Sequence, residues 1–540
     1  MSERYTDSAF VVANDGVRLA TDVYLPPAGP ARVPAILLRT PYDMREDPTL
    51  FGRMGHLFAA QGFAFVAQDT RGRFRSGGIA TPFENEAPDG WATLDWIVKQ
   101  PWSNGAVGVT GDSYGGLTAM AAAASGHPAI RAAAITNTTS DVAGDWMRHQ
   151  GVVRLQFLVS WAIAAWSGDG LALPDIPWGH RPLAELVAKA APGRSSASLD
   201  RWIRGRSTSA SVPDPVPDIG QAKLPMLLKG GWWDLFQRGL VRDWARHRKF
   251  AANESRLVMD ATDHDNACWT DDPPAMRHAD SDEAEARLAS ELERDIRFLR
   301  RHLAGRAPER SRVEWHQVHA GWCSADEWPP AGARLHELFL VDGARGLRGP
   351  EGGSLALRPD RIAPPVQWTH EPSMLVPSLE GDVVHERYRR PDERLVQVRP
   401  DVLTFTSAPL AADLDLAGPV AVSLAVATTA PGMHVMAKLT DVYPEGPARR
   451  VAEGAAAMAR GAGGLVVNLG HVGYRVRPGH RLRLEVASSA YPRYIWHPGT
   501  DEDPWTAPTG RPATQTLEIG AESKLSLTTV DGDMGDQQAR

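Results

Sequence analysis

At 540 residues the chain is too long for one ordinary core, and about 150 residues per domain predicts roughly three domains. Hydrophobic residues make up 43% and charged residues 23%, which excludes wholesale disorder, and 50 Gly and 42 Pro spread without a period exclude collagen and predict many turns. A net charge of −7 leaves no basic excess to neutralise phosphates, so nucleic acid is not an expected partner.

The first 28 residues read as a hairpin, with Val11 and Val12 before the Asn14-Asp15-Gly16 turn and Val17, Leu19, Val23 and Leu25 after it. Apolar runs then alternate with helical stretches. The runs are Val33 to Leu38, Phe63 to Ala67, Val107 to Thr110 and Ala132 to Ile135. Between them lie Phe51 to Gln61, stopped by Gly62, then Trp91 to Val98, and Leu117 to Ala124. Such alternation predicts a buried parallel sheet in an α/β domain. From about Asp145 to Gly205 helices are expected and no strand, closed by the Pro-rich segment SVPDPVPDIG. Apolar runs return at Pro225 to Leu228 and Arg256 to Met259, so the helical region reads as a cap inserted into the sheet domain. Glu285 to Leu303 reads as a final amphipathic helix. After about 310, short alternating segments such as Val420, Val422, Leu424 and Val426, or Leu482, Leu484 and Val486, predict a β-sandwich or jelly roll. The expected domains are therefore 1–140 and 223–310 (α/β), 141–222 (cap) and 311–540 (jelly roll).

Cys268 and Cys323 make no disulfide framework and fit a reducing compartment. The start, MSERYTDSAFVVANDG, lacks a basic n-region and an apolar h-region, and no uncharged apolar run approaches membrane-spanning length. The expected location is the cytoplasm, with no membrane partner; a homo-oligomer stays open.

Gly111-Asp112-Ser113-Tyr114-Gly115 fits G-x-S-x-G between a strand and a helix, a sharp turn that small residues permit and that exposes the Ser113 hydroxyl. A serine needs a base, and the base an orienting acid. Asp234 follows the Pro225 to Leu228 run and His264 follows Arg256 to Met259, the chain order Ser, Asp, His of an α/β-hydrolase. Asp260, Asp263 and Asp265 crowd His264 and are alternative acids, and Asp234 is an alternative helix N-cap. The spacing of this acidic cluster matches no metal-ligand pattern, and no metal or cofactor is expected. The Tyr114 amide is one candidate oxyanion donor. The Arg39-Thr40-Pro41-Tyr42-Asp43 loop has no glycine run, so the Tyr42 phenol is the second candidate, with simple packing as the alternative.

Thr40-Pro41-Tyr42, Gln68 to Gly72, Gln100-Pro101-Trp102, GDSYGG, GGWWD, DVLTFTSAPL, KLTDVYPEG and GHRLRLEVASSAYPRY together resemble the CocE/NonD hydrolases, the family of cocaine esterase and X-Pro dipeptidyl-peptidase. The resemblance implies an α/β-hydrolase domain with a helical cap and a C-terminal jelly roll. It implies Ser113, His264 and Asp234 as triad, and Tyr42 with Tyr114 as oxyanion hole. It also implies that Phe236, two residues after the acid, lines an acyl pocket. The chain departs from the family at Asp260-Ala261-Thr262, where a Gly-Pro-Trp type segment is usual, so more acid surrounds His264 and its pKa is expected to rise. The α-amino-acid ester hydrolases of the family bind substrate ammonium with carboxylates just after the acid; Leu235, Phe236, Gln237 and Arg238 stand there instead.

Trp146, Trp161 and Trp166 read either as cap core or as aromatic walls for an acyl or aryl group, and Trp233 is a further candidate for substrate contact. The segment DTRGRFRSGG reads as a structural loop beside the site. The expected activity is hydrolysis of a small-molecule carboxylic ester through an acyl-enzyme. Amide hydrolysis and acyl transfer are the alternatives, and a non-catalytic binding protein is the rival outside enzymology.

Overall fold

The computed structural model describes residues 7–530, apart from 28–29, 45–49, 167–173, 194–196, 205–215, 250–253, 266–280, 307–309, 311, 361–362 and 381–390. Cys268 and part of the Pro-rich segment lie outside the described residues.

The N-terminal hairpin forms as expected from β1 (Asp7–Val12) and β2 (Arg18–Tyr24). It is followed by β3 (Val33–Thr40), α1 (Phe51–Ala60), β4 (Ala64–Asp69), α2 (Glu86–Val98), β5 (Ser103–Asp112), α3 (Tyr114–Ala124) and β6 (Ile130–Thr136). The apolar runs become strands because both their faces are covered. On β3, Ile36 and Leu38 pack with α1 against Phe58 and Phe65, while Ala35 and Leu37 pack on the opposite side with Leu117 and Met120 of α3.

The stretch after β6 is largely helical but opens differently from the expectation. A π-helical turn (Val142–Met147) leads into a two-residue-wide hairpin, β7 (Arg148–His149) and β8 (Val152–Val153). This hairpin turns at Gln150-Gly151, both with positive φ, and is too short for its alternation to register in sequence. Then come α4 (Leu155–Trp161), a second π-helical turn (Ala162–Trp166), α5 (Leu186–Ala190) and α6 (Ala197–Arg204). The sheet resumes with β9 (Met226–Gly231), α7 (Gln237–His247), β10 (Arg256–Asp260) and α8 (Ser281–Leu303).

Two more strands, β11 (Arg312–Gln317) and β12 (Gly321–Ala325), extend this sheet past residue 310, where the change of texture suggested a new domain. β11 pairs in parallel with β10, completing a ten-stranded order β1-β2-β4-β3-β5-β6-β9-β10-β11-β12, parallel from β4 to β11.

The C-terminal part is β-rich. β13 (Arg334–Val341), β14 (Gly353–Ala356), β15 (Val366–His370), the short α9 (Arg394–Gln397), β16 (Leu403–Thr406), β17 (Leu414–Val442), β18 (Ala448–Val476), β19 (Arg481–Ala487), β20 (Ala513–Glu518) and β21 (Lys524–Val530) follow in order. β17 and β18 run antiparallel over 29 residues each, joined by the turn carrying Pro444-Glu445-Gly446. Val420, Val422, Leu424 and Val426 are all buried, as their alternation predicts. This domain is tied to the rest by backbone bonds from Val318 N–H to Gly473 O (2.9 Å), Ala457 N–H to Gln150 O (3.0 Å) and Ile495 N–H to Val153 O (2.9 Å). No helix among the described residues is long and apolar enough to cross a membrane.

Candidate active site

Ser113 stands at the end of β5 with φ 55° and ψ −121°, a strained conformation outside the ordinary regions. The turn works because Gly111 and Gly116 carry no side chain. A Cβ on Gly111 would lie 2.2 Å from Gly115 O, and one on Gly116 would lie 2.8 Å from Thr138 Cγ2 and 2.9 Å from Thr136 O. Ser113 N–H donates to Thr136 O of β6 at 3.1 Å, so the sheet itself holds the elbow.

The loops after β9 and β10 bring up the other two groups. They lie against each other through Trp232 N–H to Asp260 O (2.9 Å) and Trp233 N–H to Thr262 O (3.1 Å). That approach needs Gly231, where a Cβ would meet Thr262 O at 2.1 Å. The result is a continuous relay. Ser113 Oγ is 3.0 Å from His264 Nε2, and His264 Nδ1 is 2.6 Å from Asp234 Oδ2. The second carboxylate oxygen of Asp234 accepts from Phe236 N–H at 2.8 Å. Asp234 and His264 are both buried.

The neighbouring acids divide. Asp263 is buried and accepts from Asp265 N–H at 3.0 Å, and Asp260 Oδ1 accepts from Ala261 N–H at 2.7 Å. Burial alone would lower the His264 pKa. The charge and hydrogen bond of Asp234, then the charges of Asp112 and Asp265, outweigh it and carry the imidazole up to about 9. The imidazole is raised as expected, but by Asp234, Asp112 on the serine side and Asp265 rather than by Asp260 of the departing segment.

Tyr42 reaches the same point from the loop after β3. Its phenol lies near Ser113 and accepts from Trp161 Nε1–H at 3.3 Å. An indole N–H can only donate, so Trp161 occupies a lone pair of the phenol oxygen and leaves the phenol hydrogen free to point elsewhere. Burial raises the Tyr42 pKa, which keeps that hydrogen on the oxygen. Tyr114 opens α3, where backbone N–H groups have no intrahelical acceptor. Its ring is pinned from behind: the hydroxyl donates to Glu86 at 2.8 Å and accepts from Phe83 N–H at 2.7 Å. Arg39 Nη1 in turn donates to the Glu86 carbonyl at 2.7 Å.

The DTRGRFRSGG loop anchors this wall. Arg73 Nε donates to Pro41 O (2.9 Å), Thr70 N–H donates to Thr40 O (2.9 Å), and Arg71 bridges Asp89 and Asp15.

The aromatic candidates fall into different places. Phe236 sets its ring edge-on to the His264 imidazole at 5.4 Å and stacks on Trp146 at 4.1 Å. Trp146 and Trp161 are buried, 5.4 Å apart, and packed with Phe83, Phe157 and Trp202. Trp166 is partly exposed, packs on Tyr114 and lies under the Arg73 guanidinium. Trp233 lines a cavity facing the C-terminal domain. The Trp161 to Tyr42 bond and the Phe236 amide on Asp234 had no sequence signal: one spans 119 residues, and the other is a backbone group.

The profile of the X-Pro dipeptidyl-peptidase (S15) family matches residues 15–266, and that of the X-Pro dipeptidyl-peptidase C-terminal non-catalytic domain matches residues 305–528. The chain is 28% identical over 537 residues to the cocaine esterase of Rhodococcus sp. (strain MB1 Bresler), covering 90% of this chain and 91% of the relative. Among solved structures, a selenomethionine-labelled α-amino acid ester hydrolase superposes with a TM-score of 0.79 at 22% identity, covering 97% of this chain and 96% of the other. A CocE/NonD family hydrolase from Staphylococcus aureus superposes with a TM-score of 0.68 at 16% identity, covering 97% and 93%. With an N-terminal catalytic domain and a C-terminal non-catalytic domain that is mainly β, the chain is a hydrolase of the CocE/NonD type.

Proposed function

We propose that the protein cleaves carboxylic esters through an acyl-enzyme on Ser113, in an α/β-hydrolase domain backed by a C-terminal jelly roll. The observation that carries this reading is the relay of 3.0 Å and 2.6 Å from Ser113 through His264 to Asp234, with the Tyr42 phenol beside the serine. Ser113 Oγ attacks the ester carbonyl carbon as His264 Nε2 takes its proton, and Asp234 balances the imidazolium. The carbonyl oxygen becomes an oxyanion that accepts from Tyr42 O–H and Tyr114 N–H. Collapse breaks the carbon–oxygen bond to the alcohol, which leaves with the proton from His264. Water then attacks the acyl carbon, giving its proton to His264, and the acid departs as Ser113 recovers the hydrogen. Phe236, beside the imidazole and stacked on Trp146, supports an apolar wall for the acyl group, with Trp166 at its partly exposed side.

Amide cleavage by the same chemistry is the second reading, supported by the match to the S15 family profile. Turnover of aryl and alkyl esters against X-Pro anilides, with and without an added amine or alcohol acceptor, separates ester hydrolysis, amide hydrolysis and acyl transfer. The ester reading expects esters to be turned over fastest and water to outcompete added acceptors.

A further inference from the structure

On another side of the loop that carries Asp234, three segments of chain meet around a cavity of about 50 Å³. They are the β7–β8 hairpin region, the start of α7, and the β17–β18 side of the C-terminal domain. Four guanidinium groups line it: Arg154, Arg238, Arg450 and Arg493. The lining holds two carboxylates, and both are engaged. Asp234 is bound to His264, and Glu453 is shared by Arg450 and Arg493; Arg450 also meets Glu380.

On this lining His149 Nε2 and Arg238 Nε have no hydrogen-bond partner among the described residues. His149 is buried, with 7% of its surface exposed. Arg238 Nη1 and Tyr494 Oη each lie 2.8 Å from its Nδ1; the hydroxyl can donate or accept but the guanidinium can only donate, so Nδ1 accepts and Nε2 carries the hydrogen. Burial and the surrounding arginines hold the ring pKa well below its usual value, which keeps it in this neutral form. The Nε2–H is enclosed and unmatched, and so is Arg238 Nε–H. Among the described residues the two Nη groups of Arg238 donate to neutral acceptors, His149 Nδ1 and the Glu453 carbonyl.

Leaving buried donors unmatched is costly, and an excess of guanidinium groups over free carboxylates selects a negative partner. The space exceeds what one water needs and suits a tetrahedral ion. We propose that this cavity binds a small tetrahedral oxyanion, inorganic phosphate or sulfate, on His149 Nε2–H and Arg238 Nε–H, and that the ion fastens the C-terminal domain to the catalytic domain. Asp234 borders both this cavity and the relay, and the proposed ion takes no part in the Ser113 reaction.

The test is calorimetric titration of the full chain with inorganic phosphate at constant ionic strength, alongside its melting temperature in phosphate and in chloride. The wild type is expected to bind at one saturable site and to melt higher in phosphate. Each of His149→Phe and Arg238→Gln is expected to weaken phosphate binding at least about tenfold. If Arg238→Gln does not fold, Arg238→Lys keeps the charge, loses the Nε–H, and is expected to weaken binding likewise. No saturable binding in the wild type, as a water-filled cavity would give, overturns the proposal. Undiminished affinity in His149→Phe and in the Arg238 variant overturns it as well.

Discussion

His264 is gripped by Asp234 through a 2.6 Å contact from Nδ1 to Oδ2, and Asp234 is itself fixed by Phe236 N–H on its other oxygen at 2.8 Å. The carboxylate therefore cannot rotate away without breaking a backbone bond. The imidazole is held in one tautomer with Nε2 facing Ser113 at 3.0 Å.

A general base works only when neutral, so kcat/KM falls as pH drops through the His264 pKa. Asp234, Asp112 and Asp265 raise that pKa to about 9 against the pull of burial. The ascending limb of the pH profile is therefore expected well above the ordinary imidazole value of about 6.5. Asp265→Asn and Asp112→Asn each remove a negative charge and are expected to move the limb to lower pH. A limb at or below the ordinary value in the wild type would contradict this.

Tyr42→Phe removes one oxyanion donor and is expected to lower kcat about 10²-fold while leaving KM nearly unchanged. Trp161→Phe removes the N–H that occupies the phenol lone pair, so a smaller loss in kcat is expected. Full activity in Tyr42→Phe would require a different second donor.

The glycines of the elbow are expected to differ. Gly111→Ala and Gly116→Ala drive a methyl into backbone or the Thr138 methyl, and each is expected to cost at least about 2 kcal/mol of stability. Gly115→Ala meets only Arg39 O at 3.4 Å, lies in α3, and is expected to be tolerated. Denaturant unfolding of the three variants checks the order.

Trp146 is fully buried and stacked on Phe236. Trp146→Ala is expected to destabilise the protein by about 3–5 kcal/mol and to lower kcat through loss of support for Phe236 beside His264.

Much of this arrangement was legible because local sterics write it into the chain. Gly111 and Gly116 are needed by the elbow, and Gly231 is needed where the two post-strand loops touch. Asp234 and His264 announced themselves by following apolar runs that became β9 and β10. What stayed hidden depends on contacts between distant segments. Whether β12 joins the first sheet or the second is decided by its partner β11, because the alternation of a half-buried strand is the same in either. Trp146 and Trp161 had two readings from sequence, and packing against Phe157 and Trp202 puts them in a buried cluster. The acids around His264 were equivalent by spacing; only the turn geometry sends Asp263 inward to the Asp265 amide.

Fluorophosphonate labelling followed by peptide mass mapping, on wild type, Ser113→Ala and His264→Ala, tests the central claim most directly. A single adduct on Ser113 is expected, absent in Ser113→Ala and formed at least about 10³-fold more slowly in His264→Ala, with ester turnover falling in parallel. A folded wild type that takes no label at Ser113, or a His264→Ala variant that labels and turns over esters at the wild-type rate, would contradict the account.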